Sequence, residues 1–199
     1  MTTDPTRVAC VGGSITFGLG LEDRRRDCYP AVLQRLMGPG YLVRNFGYSG
    51  AAAGRGANEP YWQTPSFTAA CRFTPGVVLL ALGTNDAQHA NLPVLDDFAD
   101  EYLALIAHFQ ALPTAPAVIA VSPPPVFEPL PEIDIPSLDA VVRLAVLQVA
   151  SSAGLRVVDA YTPLVARPDL FPDNLHPNAA GAQILAEAAA EALRAQAGQ

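Results

Sequence analysis

The chain has 199 residues, of which half are apolar and 16% are charged, and its net charge is −7. This length and composition exclude a disordered chain and predict a compact domain with one sizeable core. The acidic balance argues against nucleic acid or an anionic membrane as the main partner. We therefore expect a single domain over residues 1–199.

Apolar runs alternate with helical segments along the chain. Buried strands are predicted at Val8–Val11, Tyr41–Phe46, Val77–Leu82, Ala117–Val121 and Leu155–Val158. Helices are predicted at Asp27–Met37, Leu95–Leu112, Ser137–Ala153 and Pro177–Arg194, the last with proline at its first position. Strands that are apolar throughout and alternate with helices predict a parallel sheet covered on both faces. We expect an α/β protein, a flavodoxin-like three-layer α/β/α sandwich with a five-stranded parallel sheet.

Two long irregular stretches interrupt this pattern. They are Ala51–Ser66 and the proline-rich Pro123–Pro136. Because long loops in compact domains often bind ligands, both are candidates for a binding role.

The cysteines and the N-terminus bear on location. Cys10, Cys28 and Cys71 form no CxxC pair or metal spacing, which favours a reducing compartment without disulfides. The first strand begins by about Arg7, which leaves no room for a signal peptide, and we expect no apolar stretch long enough to cross a membrane. We expect a cytoplasmic protein without a membrane partner.

A serine lies directly after the first strand. Ser14 follows Gly12 and Gly13, and a glycine turn there would present its hydroxyl at the strand's carboxyl end. Asp173 and His176 lie three residues apart near the C-terminus. A serine on a tight turn, with a histidine base oriented by an aspartate, is the constellation of a serine-nucleophile hydrolase. Taken alone, the Asp-x-x-His-Pro string is equally typical of a capping turn.

Two further residues follow predicted strands. Gly50 and Asn85 would meet Ser14 at the sheet's carboxyl edge, where such sheets bind ligands. The backbone N–H groups of Ser14 and Gly50 and the side-chain amide of Asn85 are candidate donors to an oxyanion. Each is an ordinary turn residue when taken singly, but their order along the chain favours a shared function.

Four sequence blocks carry a family resemblance. They span Gly12–Gly18, Asn45–Gly50, Leu82–Asp86 and Asp173–Pro177, within a stretch from Val8 to about Leu193. With these blocks the chain resembles the SGNH hydrolases, which are also known as the GDSL esterase/lipase family.

The resemblance implies a role for each predicted site residue. Ser14 would be the nucleophile, Gly50 and Asn85 would serve the oxyanion hole with the N–H of Ser14, and Asp173 and His176 would be the acid and the base. The chain departs from the Gly-Asp-Ser-Leu motif, with Gly13 in place of aspartate and Ile15 in place of leucine. No zinc motif, dinucleotide fingerprint or Walker lysine is present, so we expect no metal and no cofactor.

Within the family, the chain is most similar to bacterial carbohydrate O-acetylesterases and small-ester acylhydrolases. The similar pieces are Pro60–Pro65, Leu82–Asp86 and Leu170–Asn178. The similarity implies a small-molecule ester substrate, an acetylated sugar. Tyr61 and Trp62 would then stack on the sugar face, although aromatic residues in loops more often attach the loop to the core.

Several questions stay open at the level of sequence. His89 follows the Asn85 block and is a candidate to line the cleft. A thioesterase or lysophospholipase acting on longer acyl chains is an alternative, and so is a non-catalytic binding protein on the same fold. The sequence leaves the oligomeric state undetermined.

Overall fold

The structure is a computed structural model that describes residues 4–197. Its strands form one parallel sheet in the order β2-β1-β3-β4-β5, with helices on both sides, which confirms the predicted fold. The strands are β1 (Thr6–Gly12), β2 (Tyr41–Gly47), β3 (Val77–Ala81), β4 (Ala117–Val121) and β5 (Val157–Val158). After β1, the chain forms β2 on one side of it and then crosses over to form β3 on its other side. In sheets of this order a crevice forms at that switch point, between the carboxyl ends of β1 and β3.

The helices flank this sheet. They are α1 (Ser14–Phe17), α2 (Arg24–Asp27), α3 (Tyr29–Met37), α4 (Pro65–Arg72), α5 (Phe98–Gln110), α6 (Ile135–Ser152, with a π-helical turn at Leu138–Val142) and α7 (Ala179–Ala197). Short 3₁₀ segments lie at Gly38–Gly40, Tyr61–Gln63, Thr84–Ala87, His89–Asp97 and Pro168–Leu170.

The core consists of two layers, one on each face of the sheet. On β1, Ala9 and Val11 pack towards α4, α5 and α6, whereas Val8 and Cys10 pack towards α3 and α7. All four are fully buried, as expected for a central strand covered on both faces.

Helix α4 was not predicted from the sequence. Its start falls inside the stretch Ala51–Ser66 that was predicted to be irregular. Thr64 caps the helix by accepting a hydrogen bond from the N–H of Phe67, and Pro65 occupies the first helical position. A threonine followed by proline is a recognised helix start, so the sequence signal was present.

The predicted start of the last helix was wrong. The helix begins at Ala179 and not at Pro177, because the side chain of Asn178 accepts hydrogen bonds from the N–H groups of Ala180 and Gly181. Asparagine is a strong N-cap, and this cap leaves Pro177 and His176 in the preceding loop. The other predicted boundaries differ from the observed ones by up to three residues.

Helix α6 contradicts the expectation that no apolar stretch is long enough to cross a membrane. By length and composition Ile135–Ser152 qualifies, with a mean hydropathy of 1.3. One side of it, with Leu138, Val142, Val146 and Ala150, is fully buried in the core of this fold. A core helix of a water-soluble protein can meet the same criteria.

Candidate active site

Ser14 is the first residue of α1, and Gly13 alone separates it from the end of β1 at Gly12. This turn is held closely against β2. The side-chain amide of Asn45 donates to the carbonyl oxygen of Thr16 at 2.7 Å, and a Cβ on Gly47 would lie only 2.2 Å from the backbone nitrogen of Phe17. Glycine at position 47 therefore permits the close approach that braces the turn carrying Ser14.

Ser14, His176 and Asp173 form a continuous hydrogen-bonded chain. The Nε2 atom of His176 lies 2.8 Å from the Oγ of Ser14, and its Nδ1 atom lies 2.7 Å from an Oδ of Asp173. The side chain of His176 is 10% exposed, whereas that of Asp173 is 53% exposed. With Nδ1–H donating to Asp173, Nε2 is free to accept the proton of Ser14.

The loop around Asp173 keeps its carboxylate ionised. Partial burial opposes ionisation, but hydrogen bonds from the backbone and side chain of His176 and from the backbone of Leu175 outweigh it, so the pKa of Asp173 is held below its ordinary value. One oxygen accepts the two backbone N–H groups, which leaves the other directed at His176. This is the arrangement required to orient an imidazole and to stabilise its cationic form.

The segments that carry the three predicted oxyanion donors meet at Asn85. Gly50 has φ +85°, a conformation that favours glycine, in the loop that follows β2. The Asn85 Nδ2 donates to the carbonyl oxygen of Ala51 at 2.8 Å, and a Cβ on Gly13 would lie 3.0 Å from the same nitrogen. The Asn85 amide therefore lies between the Ser14 turn and the Gly50 loop. Ser14 stands at the start of its helix, where backbone N–H groups lack intrahelical partners.

The Asn85 loop is supported by polar groups that the sequence analysis did not assign. Gln88 Nε2 donates to the side-chain oxygen of Asn85 at 3.0 Å, and Asn91 Nδ2 donates to its backbone oxygen at 2.8 Å. The sequence feature that could have identified Gln88 and Asn91 is that both lie within six residues of Asn85.

Asp86 joins the Asn85 loop to the Gly50 loop. Its buried carboxylate accepts hydrogen bonds from the N–H groups of Ala53 and Gly54, at 2.9 to 3.0 Å. Burial raises the pKa of Asp86 to about 6, while these N–H groups act in the opposite direction. The two loops that carry Gly50 and Asn85, two of the predicted oxyanion donors, are thus linked through a buried acid.

A small cavity of about 40 Å³ lies beside Ser14. Gly13, Ser14 and Asn85 contribute to its wall, and so do the buried side chains of Leu185 and Ala189 on α7. Because most of the side chains around it are apolar, the cavity suits a small apolar group next to the serine hydroxyl.

The prediction that Tyr61 stacks on a substrate was wrong. Its side chain is fully buried, and its hydroxyl donates to the carbonyl oxygen of Phe46 at 2.8 Å. Tyr61 attaches its loop to the core, which is the alternative that the sequence left open.

Trp62 has the same role as Tyr61. Its indole N–H donates to the carbonyl oxygen of Ala53, the guanidinium of Arg55 lies 3.9 Å from its ring centre, and His108 packs on it edge to face. The residues of the described chain that line the cavity do not include His89, which is exposed. The structure therefore gives neither Trp62 nor His89 a contact with the site.

Among residues 4–197, no group of three or more His, Cys, Asp or Glu side chains is arranged to hold a metal ion.

Comparisons with known proteins extend this picture. An acetylxylan esterase of Xylanibacter ruminicola is 32% identical over an alignment of 213 positions, which covers 96% of this chain and 44% of that protein. The chain thus spans less than half the length of this relative.

Two solved structures share the fold. The structure of an acetylxylan esterase from Geobacillus stearothermophilus superposes with a TM-score of 0.73 at 21% identity, covering 96% of each chain. That of an aryl esterase from M. smegmatis has a TM-score of 0.71 at 22% identity and covers 96% of this chain and 99% of its own.

The family model described as the GDSL-like lipase/acylhydrolase family matches residues 10–184, a range that contains Ser14, Gly50, Asn85, Asp173 and His176. Since the match covers most of the sequence, the chain belongs to the GDSL-like lipase/acylhydrolase family.

Proposed function

We propose that this protein is a serine esterase that hydrolyses short-chain carboxylic esters, acetyl esters foremost, on carbohydrates. The observation that carries the proposal is the chain of hydrogen bonds from Asp173 through His176 to Ser14, at 2.7 and 2.8 Å. A serine hydroxyl needs such a base to attack an ester at neutral pH.

In the acylation half of the reaction, Ser14 Oγ attacks the ester carbonyl while His176 Nε2 takes the hydroxyl proton. A tetrahedral intermediate forms, and its former carbonyl oxygen carries the negative charge. The protonated His176 then gives its proton to the departing alcohol oxygen as the carbon–oxygen bond breaks, which leaves an acyl-enzyme on Ser14. Asp173 stabilises the imidazolium during this exchange.

Deacylation repeats these steps with water. His176 removes a proton from water, the resulting hydroxide attacks the acyl carbon, and the proton returns to Ser14 Oγ as the carboxylic acid leaves. The enzyme is regenerated without a cofactor, because all protons pass through one imidazole.

The oxygen that becomes negatively charged in the acylation and deacylation intermediates requires hydrogen-bond donors that are already oriented. The N–H groups of Ser14 and Gly50 and the free N–H of the Asn85 amide are suited to this role. Asn85 is 6% exposed, so its amide needs little reorganisation during the reaction.

The size of the cavity beside Ser14 supports a short acyl group. A volume of about 40 Å³ corresponds to roughly three water-sized positions, at about 10–15 Å³ each. An acetyl methyl group fits such a space, whereas a long acyl chain would have to extend beyond it. This favours an acetyl ester over the substrates of a thioesterase or lysophospholipase.

The carbohydrate side of the proposal is supported by the similar proteins that act on acetylated xylan. It receives no support from Tyr61 or Trp62, which are engaged in packing their own loop.

The experiment is hydrolysis of nitrophenyl acetate and acetylated xylan by the wild type, by Ser14→Ala and by Ser151→Ala. Ser151 is exposed on α6, so its replacement is a matched control for the loss of a hydroxyl. We expect Ser14→Ala to lower kcat by roughly 10⁴–10⁶ with an unchanged melting temperature.

A serine-directed phosphonate should also label Ser14, as peptide mass spectrometry will show. Turnover by Ser14→Ala at the wild-type rate would reject the proposed mechanism. Activity on nitrophenyl acetate without release of acetate from xylan would reject only the carbohydrate substrate.

A further inference from the structure

The side-chain amide of Asn85 is fixed at both of its ends. Its Nδ2 donates to the carbonyl oxygen of Ala51 at 2.8 Å, and its Oδ1 accepts from Gln88 Nε2 at 3.0 Å. Since Nδ2 carries two hydrogens, one remains for a ligand beside Gly13 and Ser14. The function proposed above gives Asn85 a role but gives Gln88 none.

The orientation of this amide decides whether it attracts or repels a negative oxygen. An amide has nearly the same shape after a 180° rotation about its last side-chain bond, which exchanges nitrogen and oxygen. In the rotated state Oδ1 would face both the Ala51 carbonyl and the developing oxyanion. Three oxygen acceptors would then point at one another, and the donor needed in the transition state would be lost.

The backbone of Gln88 is held in place by its neighbours, which brings its side chain next to that of Asn85. Its backbone N–H donates to the carbonyl oxygen of Asn85, its carbonyl oxygen accepts from Asn91, and it pairs with Ile133 in an isolated β-bridge. The side chain is half-buried. With Gln88 donating, Oδ1 of Asn85 is directed at Gln88 and Nδ2 at Ser14, the same orientation that the Ala51 carbonyl favours. It also polarises the amide, which strengthens the remaining N–H as a donor.

We propose that Gln88 is a positioning residue that fixes the Asn85 amide with its free N–H directed at the oxyanion. The inference rests on the proposed esterase function and deepens it. Gln88 acts only through Asn85 and does not touch the substrate.

The test compares Gln88→Met with Gln88→Glu, using kcat and KM on nitrophenyl acetate. Methionine removes the donor without replacing it, and kcat should fall roughly 3–10-fold with KM unchanged. Glutamate has nearly the same shape but presents only acceptors when ionised, so it stabilises the rotated amide. We expect this variant to lose roughly 10²-fold in kcat, close to the loss from removing an oxyanion donor.

Acid should partly restore Gln88→Glu, because a protonated glutamate regains a donor. The ratio of variant to wild-type kcat should therefore rise as the pH falls towards the ordinary pKa of a glutamate side chain, while the ratio for Gln88→Met stays flat. Taking the ratio at each pH cancels the titration that both proteins share. A merely structural defect would not give this rise.

The matched control is Gln148→Glu, the same change at an exposed position on α6, which should leave kcat unchanged. In an Asn85→Ala background, both Gln88 substitutions should have no further effect on kcat, because their target is gone. Additive losses in that background, or a Gln88→Glu variant with wild-type kcat, would overturn the inference.

The two proposals fail separately. If the wild type lacks Ser14-dependent turnover, the proposed function is wrong. If that turnover is present and the Gln88 substitutions leave kcat intact, only the role of Gln88 is wrong. Should Gln88→Glu not fold, Gln88→Met in the two backgrounds decides the question.

Discussion

The Oγ of Ser14 and the Nε2 of His176 lie 2.8 Å apart, although 162 positions separate the two residues along the chain. Ser14 is held at the carboxyl end of β1, and His176 lies in the loop before α7. The parallel sheet brings them together because the carboxyl ends of its strands, and the loops that follow them, share one edge.

We expect His176→Ala to be almost as damaging to kcat as Ser14→Ala, since nucleophile and base act as one unit. Asp173→Asn should cost less, roughly 10²–10⁴-fold, because the half-exposed carboxylate is partly screened by water. Steady-state kinetics of the single variants and of the Ser14→Ala/His176→Ala double variant test this. If the loss of transition-state stabilisation in the double variant equalled the sum of the two single losses, a shared mechanism would be contradicted.

Asn85→Ala should lower kcat by roughly 10²–10³ with little change in KM, because its amide is used mainly in the transition state. Asn58→Ala is a suitable control, since Asn58 is exposed in the neighbouring loop and contributes its backbone N–H to Asn91. Kinetics on nitrophenyl acetate measure both variants. An effect confined to KM would mean that Asn85 binds the substrate in its ground state.

Acyl-chain preference should follow the size of the cavity beside Ser14. We expect acetyl esters to be preferred over butyryl and strongly over octanoyl, with a discrimination of about 10–200-fold for a group that does not fit. Leu185→Ala should enlarge the cavity and raise the butyryl-to-acetyl ratio of kcat/KM.

Leu193→Ala is the matched control for that change. Leu193 is equally buried on α7 but does not line the cavity, so both variants should lose roughly 2–5 kcal/mol of unfolding free energy. Only Leu185→Ala should change the chain-length preference. A wild type that prefers octanoyl esters would favour the thioesterase or lysophospholipase alternative.

Asp86 should make stability depend on pH. Burial raises its pKa in the folded state to about 6, against an ordinary value of 3.8. The folded state therefore binds the proton more tightly, so this contribution to stability is complete below pH 3.8 and is lost as the pH rises through about 6. This difference between the folded and ordinary pKa values of Asp86 corresponds to at most roughly 3 kcal/mol of unfolding free energy.

Urea unfolding of the wild type and of Asp86→Asn across this range measures the effect. Asparagine cannot titrate, so the difference in unfolding free energy between the two proteins should change with pH between these two values and become constant above them. Carboxylates with lowered pKa, such as Asp173, are present in both proteins and cancel in the comparison. Parallel curves would show that Asp86 does not titrate in this range.

The sequence by itself determined the sheet and the residues that gather at its carboxyl edge. Continuous apolar runs such as Val8–Val11 have few alternatives to a buried parallel strand. Residues that follow such strands, Ser14 and Asn85 among them, must gather at the carboxyl edge whatever the details of packing. Local pattern and topology were therefore sufficient to place these residues, while their chemical roles stay predictions.

The tertiary structure decided how the other residues are used. Tyr61 and Trp62 are residue types that often stack on sugars, but Tyr61 is buried, and both attach their loop through hydrogen bonds to Phe46 and Ala53. The contact between Gln88 and the side-chain oxygen of Asn85 likewise depends on side-chain direction. Sequence spacing does not specify which way an aromatic ring or an amide points, because that direction is set by neighbours that the fold brings from distant parts of the chain.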